Sequence, residues 1–424
     1  MPGRRWRIAV LLGAGVLVNY FDRVNLSVSH GALIAEFGFS DAVFGYLLSA
    51  FSLTYALCQL PVGVVLDWLG VRRVGRAGAL VWSLASFATA LAPNLVGLFG
   101  ARMLLGVGEA PAFPANAKAV GAWFPAGERS LAMAICDAAA KFASAVGVPL
   151  IGMLLLWVGW RWSFAITGLV SFAYFLGFCW IYRDPQDDPG LSERERAYIE
   201  QGSRQPGQPV MASATPSTLL HLATRPKVLG LTIGFGAYNY IFYLLLNWLP
   251  TYLSSALHVD LLHSFLYTGV PWFLATLADI LVGGWLVDAL VRRGWDHSRV
   301  RKTILIGGSA CGLGIVGAAR ATSTFEALVW ISISISGLAA AAPVAWSLPT
   351  LISRPVDIGK TGGIINFSSQ VSAILASLVT GWLVSLTHGY TLAFAVAGLY
   401  LALGIAAYVL LLGKIEVAAE PGLD

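Results

Sequence analysis

The stretch GAGVLVNYFDRVNLSV, residues 13–28, decides the fold. It is apolar enough to be most of a bilayer-crossing helix, yet Asp22 and Arg23 interrupt it. A charge at the bilayer centre costs roughly 2.5–3.5 kcal/mol on insertion scales, so such residues face a bundle interior or a watery cavity and mark a transport path. Residues 95–120 repeat the anomaly, with Arg102 and Glu109 inside another apolar run. These four residues are read as the working groups of a transporter.

The composition agrees. Of 424 residues, 57% are hydrophobic and 12% charged, and the mean hydropathy is +0.73. A soluble domain carries about 25% charged residues, so half the usual charge is missing. Cys58, Cys136, Cys179 and Cys311 fall in apolar runs without a CxxC spacing, implying neither disulfides nor a metal site. The six His make no HxxH or HExxH pattern, which argues against a membrane metalloenzyme. No cofactor is expected beyond a proton as coupling ion, and no metal or nucleic-acid partner.

Spans need about 20 mostly apolar residues. Twelve can be cut: 7–28, 43–66, 74–92, 95–122, 130–157, 162–181, 227–253, 264–289, 302–320, 325–350, 361–386 and 391–413. If both termini are cytoplasmic, the inner segments hold 21 of the 27 basic residues, including Arg4, Arg5, Arg72, Arg73, Arg292 and Arg293. Basic residues collect on the cytoplasmic side, which sets the orientation and explains the net charge of +5. The reading is an all-α membrane protein with a six-helix bundle at 1–182, a cytoplasmic linker at 183–226 and a second bundle at 227–424. In the linker, Ser192 and Glu195 have capping-box spacing for a short surface helix.

The two halves repeat. Asn19-Tyr20 recurs as Asn239-Tyr240, Gly63-x-x-x-Asp67 before Arg72-Arg73 recurs as Gly284-x-x-x-Asp288 before Arg292-Arg293, and Gly159, Phe164-Ala165 and Gly168 recur as Gly389, Phe394-Ala395 and Gly398. Duplicated six-plus-six chains are the architecture of secondary transporters, with the site expected between the halves.

The segment Gly63-Val-Val-Leu-Asp67-Trp-Leu-Gly70-Val-Arg72-Arg73 resembles the loop 2–3 signature of the major facilitator superfamily. Asn19-Tyr-Phe-Asp22-Arg23-Val-Asn-Leu-Ser and Arg102-Met-Leu-Leu-Gly-Val-Gly-Glu109-Ala-Pro-Ala-Phe-Pro resemble its anion:cation symporter family, which includes galactonate, glucarate and hexuronate permeases and sialin. The resemblance covers the whole chain. It implies the major facilitator fold and transport of an organic carboxylate by proton symport. Asp22 and Glu109 then match the proton carriers, Arg23 and Arg102 match residues that tune them or meet substrate, and Tyr55 matches a residue lining the site.

The residues add detail. Asp22 and Arg23 diverge by about 100° on a helix, so Arg23 can face Glu109 or a substrate carboxylate. Arg102 and Glu109, two turns apart, share a face. Asp137 and Lys141 are spaced for an i,i+4 salt bridge, and the repeat maps them onto Asn366 and Gln370. Lys141 is read as the counter-cation of the substrate with Asp137 holding it. Tyr20, Tyr243, Asn247, Trp346 and Ser347, together with Asn366 and Gln370, supply an aromatic wall and hydroxyl recognition. Asp67 with Arg72 and Arg73, and Asp288 with Arg292 and Arg293, are read as latches at the inner helix ends. The expected protein is an inner-membrane monomer, embedded in lipid, that imports a small organic anion by alternating access. A sugar acid is the first expectation; a dicarboxylate or aromatic acid such as phthalate, or a non-transporting sensor on the same fold, are the alternatives.

Overall fold

Glycine and proline break the chain's helices at Gly70, Gly159 and Pro111, and the break at Pro111 positions a charged group. The computed structural model describes residues 3–125, 128–203, 217–354 and 357–416. The chain divides into two units, Met1–Val210 and Met211–Asp424. The first holds α1 (Arg4–Val28), α2 (His30–Phe37), α3 (Asp41–Ala90), α4 (Leu95–Glu109), α5 (Ala112–Trp123), α6 (Arg129–Ile181) and α7 (Glu193–Ser203). The second holds α8 (Leu219–Thr224), α9 (Pro226–Thr251), α10 (Leu261–Ala278), α11 (Val287–Arg292), α12 (His297–Gly312), α13 (Gly314–Ala318), α14 (Thr324–Ile352), α15 (Ile358–Thr387) and α16 (Thr391–Leu411). Wider π-helical turns, Tyr252–Ala256 and Asp279–Leu286, follow α9 and α10.

Two of the longest elements are pairs of spans joined end to end. In α3 the backbone leaves helical geometry at Gly70 (φ 77°, ψ 165°), and in α6 at Gly159 (φ 79°, ψ 168°). A Cβ at either glycine would meet nothing within 4 Å. The dihedral therefore demands glycine there, since positive φ combined with extended ψ is a region essentially restricted to glycine and costs another residue about 1–3 kcal/mol. Left-handed residues recur in the second unit at Gly294 (φ 85°) and His388 (φ 54°). The repeat places Gly389 opposite Gly159, but His388 takes the turn. Among the described residues ten helices are long and apolar enough to cross a membrane. With the glycine breaks counted, each unit contributes six spans, twelve in all.

The expected single run at 95–122 is interrupted. Pro111 and Pro114 have no backbone N–H, so two carbonyls one turn earlier lose their donors. One of them, Ala110 O, accepts instead from Gln59 Nε2 at 3.3 Å. α4 therefore ends on Glu109 and α5 begins at Ala112. Lipid gives helices no hydrophobic reason to associate, so close packing over small residues does that work. A Cβ on Gly108 would meet Trp82 N at 2.6 Å, and one on Gly106 would collide with Thr54 and the Phe51 carbonyl. The backbone of α4 thus lies directly on both halves of α3, which brings Glu109 deep into the bundle.

α7 docks on the basic end of α1. The Glu195 carboxylate accepts from the backbone amides of Arg4 (2.9 Å) and Arg5 (3.2 Å) and pairs with the Arg5 guanidinium at 2.8 Å. The expected capping box is only half formed. Glu195 N donates to Ser192 Oγ at 3.3 Å, but the Glu195 side chain is drawn to the unsatisfied N–H groups and positive end of α1. Arg4 also pairs with Asp188 at 3.0 Å, and Arg5 with Glu128 at 2.8 Å, where the Tyr198 hydroxyl donates as well. The four cysteines are free.

Candidate transport site

The adjacent charges of α1 do part company. Asp22 turns toward α3 and α6, accepting from Ser86 Oγ at 2.8 Å and Ser171 Oγ at 2.7 Å. Arg23 turns toward α4, where its Nε donates to Glu109 Oε2 at 2.7 Å. Both carboxylates are buried, Glu109 completely. The Arg23 guanidinium is held in an aromatic cage, 4.7 Å from the Tyr20 ring centroid, 4.9 Å from Phe51 and 5.3 Å from Tyr55. Ring faces attract such cations, more so where water is excluded.

Arg102 completes the cluster. Its guanidinium lies over the same Phe51 ring at 5.2 Å and within electrostatic reach of Glu109, Asp22 and Arg23. The side chain is 2% exposed, yet its Nε and Nη1 have no hydrogen-bond partner among the described residues. Glu109 Oε1 is likewise buried without one. A buried guanidinium carries five donors and pays heavily for leaving them unmet. Two cations thus share one ring, and Arg102 is short of acceptor oxygens among the described residues by about the complement of one carboxylate.

Asp137 and Lys141 on α6 form the anticipated bridge at 2.8 Å, with Lys141 buried and Asp137 half-buried. In the second unit, Asn247 Nδ2 donates to Ser377 Oγ at 3.1 Å, joining α9 to α15. Tyr243 is buried edge-on to Phe242. Trp346 is half exposed and meets Phe235 edge-on at 5.1 Å, while Ser347 donates to Val344 O within its own helix. Gln370 is buried and its Oε1 has no partner among the described residues; Asn366 is half-buried one turn earlier on α15. Tyr243 and Asn247 lie farther along α9 than Phe235, the residue that meets Trp346, so these groups form a column rather than one cluster. The side chains of Asp67, Asp288 and Arg292 lie outside the described residues. Arg72 is half-buried and Arg73 and Arg293 are exposed.

Sequence reasoning missed Ser86, Ser171 and Phe51, the three groups that hold the charges in place. Serine and phenylalanine are common in spans, so no signal distinguished them. Among the described residues no cluster of His, Cys, Asp or Glu could hold a metal ion.

A twelve-span chain with paired charges buried inside a bundle defines a secondary transporter, and the comparisons place it. The chain belongs to the Major Facilitator Superfamily, whose sequence profile matches residues 12–354. It is accordingly a multi-pass membrane transporter and not an enzyme. An uncharacterized transporter of Bacillus subtilis, YybO, is 36% identical over 417 residues, covering 98% of this chain and 96% of that protein. A D-galactonate transporter of Escherichia coli O6:H1 is 32% identical over 434 residues, covering 98% and 97%. Among solved structures, an inward-facing bacterial homolog of the human lysosomal transporter Spinster matches with a TM-score of 0.77 at 17% identity, covering 98% of both chains, a likeness of fold.

Proposed function

We propose that this chain is a proton-coupled symporter of the inner membrane that imports a small organic acid anion, most simply a sugar acid, by alternating access. The observation that carries the reading is Arg102, a buried guanidinium with two nitrogens lacking acceptors beside the Arg23–Glu109 ion pair. The likeness to a D-galactonate transporter supports a polyhydroxylated carboxylate as the cargo.

The geometry supplies a coupling rule. While Glu109 is ionised it occupies Arg23. A proton on Glu109 cancels its charge and loosens that pair, leaving Arg23 and Arg102 to receive a carboxylate through planar, two-pronged hydrogen bonds. When the anion leaves and the proton is lost, Glu109 reclaims Arg23. Asp22, steadied by Ser86 and Ser171, is the second proton carrier. Tyr20 and Tyr55 frame the cationic end, and Asn247, Asn366, Gln370, Tyr243, Trp346 and Ser347 are assigned to the hydroxylated body. Each net positive charge carried inward down 100 mV supplies about 2.3 kcal/mol, so moving more protons than anionic charges makes uptake concentrative. Both termini are assigned to the cytoplasm, and the protein is assigned as a monomer, with Asp67 and Asp288 as latch residues.

In proteoliposomes with labelled D-galactonate, Glu109→Gln is expected to abolish accumulation driven by a proton gradient while preserving counterflow, which needs no net proton movement. Undiminished accumulation by that variant would overturn the role of Glu109. A second acidic group on the cargo is favoured by the buried Lys141. Preference for galactarate over D-galactonate in competition, lost in Lys141→Gln, would establish it.

A further inference from the structure

Below the charge cluster, inside the first unit, lies a small, partly open void. It is lined by Gly15 of α1, Gly75, Gly78 and Trp82 of α3, Gly108 of α4 and Tyr174 of α6. Its volume, counted as room for the centre of a water molecule, is about 20 Å³; one water needs roughly 10–15 Å³ and two to four polar partners. The partners are at hand. Trp82 is 4% exposed, and its Nε1–H has no acceptor among the described residues. The Tyr174 hydroxyl stands on Gly15, where a Cβ would displace it, and the Gly108 carbonyl lies 2.9 Å from where a Cβ on Gly78 would sit. Asn116 forms part of the wall.

Helix spacing connects the void to Asp22. Trp82 is one turn from Ser86, and Tyr174 is one turn from Ser171, the two hydroxyls that hold the Asp22 carboxylate. The indole and phenol rings stack at 5.6 Å. On α1, Asp22, Asn19 and Gly15 fall at i, i−3 and i−7, one face of the helix. Asn19 is fully buried, and neither its Oδ1 nor its Nδ2 has a partner among the described residues. Three orphaned polar atoms and a cavity thus fill the interval between Asp22 and the end of the bundle that bears Arg4, Arg5, Arg72 and Arg73. Buried dry, such groups forfeit the hydrogen bonds they made in water with nothing to replace them.

We propose that this void holds water bound by Trp82 and Tyr174, and that this water, with Asn19 above it, relays the proton between Asp22 and the basic end of the bundle, apart from the substrate path. The relay rests on Asp22 being a proton carrier. A proton leaves the Asp22 carboxyl for a water oxygen as another leaves the far side of the chain, so each O–H bond broken is matched by one formed. The Tyr174 hydroxyl both accepts and donates. The indole keeps its proton and orients the water, as does the Asn19 amide. The charges facing Asp22 from the packed helices are those of Arg102 and Glu109 on α4; α3 and α6 face it with hydroxyls.

The test uses the full-length protein. Radiolytic labelling in ¹⁸O water, read by mass spectrometry, is expected to oxidise the buried Trp82 and the half-buried Tyr174, and Ala115→Leu, which fills the void from its α5 wall, is expected to cut the Tyr174 label at least fivefold. In proteoliposomes, Ala115→Leu and Trp82→Phe are expected to slow gradient-driven D-galactonate accumulation at least tenfold with counterflow within twofold of the parent. Absence of label at both residues, or accumulation and counterflow falling together in both variants, overturns the relay. Asp22→Asn separates the two claims. If it abolishes accumulation while Trp82→Phe does not, the relay alone fails; if it leaves accumulation intact, the role of Asp22 fails and the relay with it.

Discussion

Among the described residues of the first unit Arg102 has the largest unmet demand for acceptors, and the demand can be measured. Hydrogen bonds to charged groups are worth about 1.5–3 kcal/mol, a factor of roughly 10–150 in binding. Arg102→Gln keeps side-chain length and some donors but not the charge, and is expected to weaken D-galactonate binding by that factor in calorimetry. A change under threefold would mean that Arg102 packs against Phe51 without meeting substrate. Asp22, Arg23, Arg102 and Glu109 were legible in the sequence because a charge in an apolar run has so few innocent explanations. Their partners were not. Ser86 and Ser171 stand 64 and 149 residues from Asp22, and only the folded bundle brings those hydroxyls to it. The sequence left Arg23 two destinations, Glu109 or a substrate carboxylate; in the structure it takes Glu109.

At the scale of the helix, the decisive feature is which backbone positions cannot hold a Cβ or supply an N–H. Gly159→Ala forces an alanine into a region essentially restricted to glycine and is expected to lower stability in detergent by about 1–3 kcal/mol. His388→Gly relieves the milder strain of a left-handed residue but frees the unfolded chain, so it is expected to change stability by under about 0.5 kcal/mol. Chemical unfolding followed by tryptophan fluorescence compares the two, and equal losses would contradict the dihedral argument. The spans themselves were legible from hydropathy. The break after Glu109 was not, although Pro111 and Pro114 are plain in the sequence, because hydropathy counts side chains and is blind to missing amide donors. The capping box at Ser192 misled for the converse reason. Its spacing was right, but a stronger claimant for Glu195, the positive end of α1, lies about 190 residues away.

Across the first unit, the ion cluster of Arg4, Arg5, Glu128, Asp188 and Glu195 ties the linker helix to the bundle outside the membrane. Hydrogen bonds from the Arg5 guanidinium, and then from the Tyr198 hydroxyl, hold the Glu128 carboxyl below its usual range against the upward pull of burial. A carboxyl lowered by folding adds stability that is fully present above its unfolded value, about 4.3, and is lost as pH falls through the lower folded value. Thermal unfolding between pH 3 and 7 is therefore expected to show an acid-side loss that Glu128→Gln reduces. An unchanged acid limb would mean that Glu128 contributes nothing to holding α7. In the sequence the same arginines read only as orientation signals, and timing reconciles the two roles. Arg4 and Arg5 leave the ribosome some 190 residues ahead of Glu195, a wait of about 10–40 s at ordinary rates of chain synthesis. Glu128, the other acid of Arg5, comes 123 residues after it, so until then both guanidiniums are still without their acids and the insertion machinery meets the first span with its flanking charge unneutralised. Neutralisation is complete only once Asp188 and Glu195, which follow the residues of the sixth span, have been made.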